Sequence, residues 1–555
     1  MSTNVPRLSQ QLRAHYGFTD EAIANPNVYS QSIKEVPQEP IVAQGQEDLR
    51  LALVTGPELA PEAAELAITL RLAQRAWIVG EDVRADVAES RWQGVGNKGV
   101  YVRIKALALE GKQVPDVLPA DRRSSAPECV VEEVLGQGAT PPKAAQGAAN
   151  RPNLAVVNTF GKKKPKGESL AETQAAMILA HGTLRRFFPY FPVVGDVVDE
   201  RLLEVLGSLQ EPLNRKTIRQ NLRRFLASIQ DGHGFVADLY GVPPKGFLPL
   251  FLEEVNGEPV VRHSKAPGIN PGDTLVSMQG VPFTELLATE LARTSAASPG
   301  YRFMLAVSEL LQLDGPVELV LRDPQGSLRT HTANPQPVED YAAVSQVASL
   351  RPAGYLTDLG APSLYYINLS DQVLSSMQDF EKALQEANGS QGLVLDMRGY
   401  PGVDIYEIAR HIILKKFSSP IYLTPIRIGP ELTEVDEIAY AFNPSNPYPN
   451  PIALIVGTQT VSAAETFSTM LVDAKRVTVV GKPSAATNGN ITALLLPAGF
   501  AVTFTGMDVR FADGNQSVFH GVGIVPQVPS TFSAQSFAKG IDPELMDAIQ
   551  VLSKK

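Results

Sequence analysis

The segment from Val456 to Thr466 contains the strongest candidate nucleophile in the 555-residue chain. It begins in an apolar run and continues into an alanine-rich stretch that predicts a helix, with Ser462 at the helix N-terminus. Backbone N–H groups at a helix N-terminus can stabilise a negatively charged oxygen, and the small Ala463 leaves room for a substrate carbonyl. Serine is also a common N-cap residue. The segment therefore leaves two interpretations open for Ser462, a nucleophile and a capping residue.

A second segment, from Val394 to Gly402, has an apolar run that ends in Asp396 and Arg398 and then turns through Gly-Tyr-Pro-Gly. Turns at the carboxyl ends of parallel strands are where α/β proteins place their sites. We expect Asp396 and Arg398 to form an ion pair that fixes this turn. Gly402 is a candidate donor of a backbone N–H to an oxyanion.

Only seven histidines and one cysteine are available for chemistry. His233 lies in a loop just after a predicted helix, and His520 lies in a glycine-flanked turn, where a solvated side chain is the alternative interpretation. No pair of histidines has the spacing of a zinc motif, and one cysteine cannot form an intrachain disulfide. We therefore predict neither a metal site nor a cofactor.

The charge balance and hydropathy exclude several kinds of partner. The chain has 49 basic and 59 acidic side chains, a formal net charge of −10, so nucleic acid is not an expected partner. It has no apolar run of about 18 residues that would span a membrane, and its first residues do not resemble a secretory signal. These features predict a soluble, cytoplasmic protein and leave open whether it forms a homo-oligomer.

Changes in pattern along the chain predict five regions and a mixed α/β fold. The predicted β-rich region includes strands at Val100–Ile104, Cys129–Val134 and Leu154–Val157. The regions are a polar extension (1–50), the β-rich N-terminal domain (51–160), a helical segment that ends in the His233 loop (168–235), a module sized to bind an extended peptide (236–335) and an α/β core with a parallel sheet (340–555).

Several motifs in order resemble the tail-specific, or C-terminal processing, serine protease superfamily. They are Val394 to Gly402, Ser462 to Glu465, Val480 to Pro483 and Gly523 to Pro526. Phe188 to Tyr190 and Asp231 to His233 resemble the branch that includes tricorn-type and interphotoreceptor retinoid-binding-protein-like members, and Pro271 to Asp273 resembles a turn of the PDZ-like domain of that superfamily. The resemblance covers about residues 180–530 and implies an α/β serine-protease core with a PDZ-like domain.

The resemblance implies that Ser462 is the nucleophile and that the N–H groups of Ala463 and Gly402, or of its neighbour Val403, form the oxyanion hole. Most members use a lysine as the base, but Thr487 occupies that position here, and a threonine cannot accept a proton near pH 7. His233 matches the histidine of the tricorn-like branch, and an ordinary histidine pKa near 6.5 suits a general base.

The third member of the catalytic array is open. The branch usually has a glutamate where this chain has His520, so His520 is an orienting group in one alternative, and Glu465 or Asp231 supplies the carboxylate in another. We expect Tyr400, Thr487, Asn488 and Asn490 to line the substrate pocket, with a role in forming turns as the alternative for the last three.

The leading prediction is a serine endopeptidase that cleaves peptide or protein substrates by acyl transfer. The alternative is a catalytically inactive binding protein on the same fold, which takes an apolar ligand or a peptide. A third hypothesis is a self-inhibited zymogen in which residues 1–160 cover the cleft.

Overall fold

The computed structural model describes residues 4–17, 31–42, 44–45, 50–136, 140–144, 148–151, 169–345 and 350–554. The chain divides into two compact units. One comprises Met1–Tyr16, Val28–Asn158 and Ile426–Glu434, and the other comprises Gly17–Asn27, Thr159–Pro425 and Val435–Lys555. All of the predicted site residues belong to the second unit.

The first unit is built on a sheet that includes strands from the predicted N-terminal extension. Ser9–Tyr16 pairs antiparallel with Gln31–Val36, with Lys105–Leu109 and with residues 426–428. Buried side chains of the helix Pro61–Leu72, among them Ala64 and Ile68, pack on Leu107 of this sheet. The other strands and helices of the unit before residue 120 are Ala52–Thr55, Trp77–Gly80, Val83–Arg84, Ala85–Ala88, Ser90–Val95, Lys98–Arg103, Lys112–Gln113 and Val117–Leu118.

One strand prediction for this unit is wrong. The Cys129–Val134 segment forms a 3-10 turn over Pro127–Val130 and an α-helix over Val131–Gly136. Proline in the first turn and acidic residues near a helix N-terminus favour a helix start, and these signals outweigh the β-branched valines. The strand predicted near residue 100 is confirmed as Lys98–Arg103. The strand predicted at Leu154–Val157 lies outside the described residues.

The second unit begins with the predicted helical segment. Asn214 accepts the Thr217 N–H at 2.9 Å and so caps the helix that precedes the His233 loop. A 3-10 turn, Ala227–Ile229, ends that helix, and Gln230 then takes a left-handed conformation with φ 48°. The helices are Leu170–Phe187, Phe191–Val194, Val198–Ser208 and Arg215–Leu226.

The region predicted to bind an extended peptide, residues 236–335, contains a six-stranded antiparallel sheet and two helices. Its core includes Leu252, Val261 and Leu319 of the sheet and Phe283 and Phe303 of the helices. Residues 292–298 separate the two helices. The strands, in sheet order, are Leu250–Val255, Glu258–Ser264, Thr274–Met278, Val317–Arg322 and Leu328–Ala333, with Val281–Pro282 beside the third; the helices are Phe283–Leu291 and Pro299–Leu310, and Gly246–Phe247 pairs with Gln312–Leu313.

The α/β core has a six-stranded sheet whose inner strands are parallel, as the sequence predicts. Gly392–Asp396 and Ile452–Val456 are adjacent and fully buried, so a site at their carboxyl ends lies at the centre of the sheet. The sheet order is Gly354–Leu356, Ala361–Asn368, Gly392–Asp396, Ile452–Val456, Thr478–Gly481 and Val528–Pro529.

Helices cover both faces of this sheet. Alternate residues of a strand point to opposite faces, so each face has its own apolar side chains for helices to pack on. Leu393 and Leu395 pack with the helices Met377–Ala387, Ile405–Arg410 and Ala463–Asp473. Val394 packs on the opposite face with the C-terminal helix, Pro543–Ser553. The mixed α/β fold is confirmed.

A separate three-stranded sheet connects the His233 loop to the core. Phe235–Asp238 pairs antiparallel with Phe500–Thr505, which pairs with Ile491–Leu496. In the described part of the chain, no helix is both long and apolar enough to cross a membrane. The remaining elements of the second half are the helices Val338–Ala342 and Ala534–Ala538 and the strands Phe417–Ser418, Ile421–Ile428, Leu432–Ile438, Ala441–Phe442 and Asp508–Arg510.

Candidate active site

Ser462 lies at a sharp turn between the central strand Ile452–Val456 and the helix Ala463–Asp473. Its backbone has φ 57° and ψ −116°, a left-handed conformation that is costly for a residue with a side chain. Thr460 stabilises the segment that leads into this turn. Its hydroxyl donates to the Met397 carbonyl at 2.8 Å and accepts the Gly457 N–H at 2.9 Å. The strain is the kind that α/β hydrolases place at a nucleophilic serine.

Glu465, at the third position of the helix, lies beneath the turn and is fully buried. Its carboxylate accepts the N–H groups of Ser462 at 3.2 Å, Thr487 at 3.1 Å and Ala486 at 2.7 Å, together with the hydroxyl of Ser484. Burial raises the pKa of Glu465 to about 8, and the four donors act against this rise. Its hydrogen bonds to described residues hold the backbone of the serine turn, and none of them is to a histidine.

The loop that carries Tyr400 and Gly402 follows the neighbouring strand Gly392–Asp396. A Cβ on Gly402 would lie 2.6 Å from both Asp371 Cα and the Leu374 carbonyl oxygen, so only glycine fits this close approach. The Tyr400 carbonyl accepts the Asp371 N–H at 2.8 Å, while the Tyr400 side chain is 47% exposed. Ala463 opens the serine helix, where the first N–H groups have no acceptor inside the helix.

The predicted ion pair between Asp396 and Arg398 is confirmed, and it belongs to a larger network. Both side chains are buried, and the guanidinium of Arg398 contacts Asp396 at 2.6 Å and Asp542 at 2.8 Å. Glu544, two residues beyond Asp542, pairs with Arg262 of the 236–335 region at 2.9 Å. Ion pairs therefore link the turn beside the serine to the start of the helix Pro543–Ser553 and to the 236–335 region.

His233 is buried and has a defined hydrogen-bond chain on one side of its ring. Nδ1 lies 2.9 Å from the Thr505 hydroxyl, which in turn lies 2.8 Å from Asp231 Oδ1. Asp231 also accepts the N–H groups of Thr505 and His233 at 2.6 and 3.1 Å. Burial lowers the pKa of His233, and the Asp231 carboxylate acts in the opposite direction. The imidazole is therefore neutral at pH 7.

Thr487, which lies where the resemblance implies a lysine, connects the histidine loop to the serine turn. Its carbonyl accepts the Ser462 N–H at 3.0 Å, and its hydroxyl accepts the Gly232 N–H at 3.1 Å. One residue thus contacts the neighbour of His233 and the backbone of Ser462. No hydrogen bond joins Ser462 Oγ to His233 among the described residues, a bond that is often long in unliganded enzymes.

His520 is buried next to the same cluster. Its ring stacks on Tyr190 with centroids 4.3 Å apart, and the Tyr190 hydroxyl accepts the Val509 N–H at 2.8 Å. Burial lowers the pKa of His520, Asp231 and the Gln230 carbonyl raise it, and His233 lowers it. These influences place His520 beside the pair formed by Asp231 and His233.

The two predicted pocket asparagines lie in different surroundings. Asn488 is buried, and its side-chain oxygen accepts the Thr466 hydroxyl at 3.1 Å and the Gly489 N–H at 2.7 Å. Asn490 is exposed, and its carbonyl accepts the Gly506 N–H at 2.9 Å. Both therefore have structural contacts in the loop that follows Thr487.

Sequence reasoning did not single out Thr505, Ser484 or Tyr301, all of which contact or flank this cluster. No local signal marks Thr505, because its importance comes from the pairing of its strand with Phe235–Asp238. Among the described residues no cluster of His, Cys, Asp and Glu side chains could hold a metal ion.

A parallel α/β sheet that leads into a strained serine at a helix N-terminus, with a histidine and an aspartate close by, is the framework of a serine hydrolase. Residues 363–530 match the model of peptidase family S41. The chain therefore contains a serine peptidase domain, and its resemblance to the tail-specific protease superfamily is confirmed.

Solved structures show the same fold at low sequence identity. Mature CPAF complexed with lactacystin is 15% identical over 70% of this chain and 99% of its own, with a TM-score of 0.55. A crystal structure of mature CPAF is 16% identical over 70% of this chain and 98% of its own, with a TM-score of 0.54. No curated protein matches the chain.

Proposed function

We propose that the chain is an active serine endopeptidase in which Ser462 is the nucleophile and His233 is the general base. The observation that carries this proposal is the chain of hydrogen bonds from Asp231 through Thr505 to His233 Nδ1. It supplies a carboxylate partner for the histidine, although the family's lysine and glutamate positions hold Thr487 and His520.

The direction of these hydrogen bonds sets the tautomer of the base. Asp231 accepts hydrogen bonds from the Thr505 N–H and hydroxyl, so the Thr505 oxygen is free to accept a hydrogen bond from His233 Nδ1–H. Nδ1 then carries the hydrogen, and Nε2 has the lone pair that a general base needs. Nε2 has no hydrogen bond among the described residues.

The reaction then follows the acyl-transfer scheme. Nε2 of His233 takes the Ser462 proton as Oγ attacks the scissile carbonyl, and the imidazolium returns this proton to the leaving amine. A water molecule, activated by the same nitrogen, hydrolyses the acyl-enzyme. The N–H groups of Ala463 and of Gly402 or Val403 stabilise the oxyanion in both steps.

Positioning residues complete the proposed site. Thr487 and Glu465 hold the Ser462 backbone, and His520, held between Tyr190 and Asp231, orients the histidine loop. Tyr400, Asn488 and Asn490 lie on or near the loops that border the cleft. Tyr400 and Asn490 are exposed and so accessible to a peptide or protein substrate, whereas Asn488 is buried.

A fluorophosphonate probe tests the proposal, because it reacts only with an activated serine. We expect the purified protein to label at Ser462, the Ser462→Ala variant not to label, and the His233→Gln variant to label at least about 100-fold more slowly. Casein hydrolysis should follow the same order. Folded protein that neither labels nor cleaves would contradict the proposal and favour the alternative, a binding protein on this fold.

A further inference from the structure

The start of the helix Pro299–Leu310, in the peptide-binding module, lies against both loops of the candidate active site. A Cβ on Gly232 would lie 2.8 Å from Tyr301 Cε1, and a Cβ on Gly300 would lie 2.5 Å from Thr458 Cγ2. Ser295, just before this helix, accepts the Asp231 N–H at 2.9 Å. Residues 295–301 therefore contact the loop that carries His233 and the loop that leads to Ser462.

The Tyr301 hydroxyl makes no hydrogen bond with any described residue, and its side chain is half-buried. Fully buried tyrosines do use theirs: the Tyr190 hydroxyl donates to Met507, and the Tyr366 hydroxyl donates to Asp396 at 2.7 Å. The Tyr301 hydroxyl is therefore available to donate to a ligand.

The charges around Tyr301 indicate what kind of acceptor fits. Burial, together with the nearby carboxylates of Glu465 and Asp231, raises the pKa of Tyr301 to about 12. The group is therefore a neutral donor. The negatively charged Asp231 repels an anionic ligand, so a neutral carbonyl oxygen suits the position better than a terminal carboxylate or an acidic side chain.

We propose that the Tyr301 hydroxyl donates a hydrogen bond to a backbone carbonyl of the bound peptide substrate. The peptide-binding module then contributes directly to the cleft of the protease site, and the acceptor belongs to an internal peptide unit of the substrate. This inference rests on the proposed peptidase function.

The Tyr301→Phe variant tests the inference because it removes the hydroxyl and keeps the ring against Gly232. With an internally quenched peptide taken from a casein cleavage site, we expect KM to rise about fivefold to tenfold and kcat to change less than twofold. Tyr341→Phe is a matched control, since Tyr341 packs against the core of this module, has a pKa also raised to about 12, and stacks on Phe247. Its KM should stay at the wild-type value.

The rate of fluorophosphonate labelling separates this inference from the proposed function, because the small probe does not extend along the cleft. Labelling of Tyr301→Phe at the wild-type rate with a raised KM supports the inference. An unchanged KM overturns it while the peptidase function stands, and an equal loss of labelling shows a structural role and also overturns it. A wild-type protein that neither labels nor cleaves contradicts the proposed function and the inference together.

Discussion

The Thr505 hydroxyl lies 2.9 Å from Nδ1 of His233 and is at the same time bonded to Asp231. A carboxylate acts on the histidine through an intervening hydroxyl, whereas in the common serine triad it contacts the ring directly. Strand pairing sets this geometry, because Thr503 lies opposite Phe235 and the Thr503 hydroxyl donates to the His233 carbonyl at 2.7 Å.

Replacing the bridging hydroxyl should reduce activity without unfolding the chain. We expect Thr505→Val to lower kcat/KM about 10- to 100-fold, because Nδ1–H loses its acceptor and Asp231 loses a donor. Thr505→Ser keeps the hydroxyl and should stay within about fivefold of the wild type. Steady-state hydrolysis of one peptide checks both variants, and a fully active Thr505→Val would exclude the bridge from the mechanism.

The burial of His233 predicts the acid side of the pH profile. Because burial lowers the pKa of His233 below the ordinary value of 6.5, the base stays neutral to more acidic pH. The acid limb of kcat/KM should therefore have its midpoint below pH 6.5. A pH series on the free enzyme measures it, and a midpoint above 6.5 would mean that another group or an ionised partner controls the reaction.

The burial of His233 and His520 also makes the stability of the folded protein depend on pH. The unfolded chain binds protons to His233 and His520 more tightly than the folded chain does, since burial lowers both pKa values. The stability that these histidines contribute is therefore retained above pH 6.5 and is lost as the pH falls below it, whereas Glu465, whose pKa is raised to about 8, acts in the opposite direction. Thermal unfolding of the wild type and of His233→Gln between pH 5 and 8 isolates the histidine contribution, because the variant lacks this titration. A difference in Tm, wild type minus variant, that grows toward pH 5 would contradict it.

Glu465→Gln should disrupt the serine turn. One oxygen of Glu465 accepts the Ala486 N–H, and the other accepts those of Ser462 and Thr487. The side-chain NH2 of the glutamine would replace one of these oxygens and place a donor against a backbone donor. We expect a loss of about 1–3 kcal/mol in the free energy of unfolding and at least a tenfold fall in labelling of Ser462. Denaturant titration and probe labelling measure the two effects, and wild-type values for both would show that the turn does not depend on this carboxylate.

Asp542→Asn should destabilise the core through Arg398. Although burial acts to raise it, Arg398 and Arg262 hold the pKa of Asp542 well below its usual value of 3.8. The variant should lose about 2–4 kcal/mol of stability at pH 7, and the difference should shrink below pH 3.8 as Asp542 becomes protonated. Asp547→Asn, in the same helix, is the matched control and should remain within about 0.5 kcal/mol. Equal stability of the two variants in denaturant would contradict the role of the network.

Local sequence predicted the centre of the site well. The apolar runs that lead into the two motifs are the strands Gly392–Asp396 and Ile452–Val456, because buried parallel strands are apolar throughout and end at turn residues. The helix after Ser462 begins at Ala463, as predicted. These elements depend on nearest neighbours along the chain, which is why their pattern is visible in the sequence.

The rest of the candidate site depends on contacts between distant segments. Thr505 lies at the end of a strand in a separate three-stranded sheet, and nothing in its local sequence distinguishes it from Thr503. Of the two carboxylates left open, Asp231 contacts the Thr505 hydroxyl and Glu465 contacts the backbone of the serine turn. The prediction of a strand at Cys129–Val134 is wrong for a local reason. Pro127 and its acidic neighbours favour the start of a helix more strongly than the valines favour a strand.

The separation of Thr505 from His233 by 272 positions bears on when the proposed site can form during protein synthesis. A ribosome that has made His233 and Ser462 has yet to make the residue that bridges His233 to Asp231. The growing chain therefore lacks part of the proposed site until Thr505 has been synthesised, and products that terminate earlier lack it permanently.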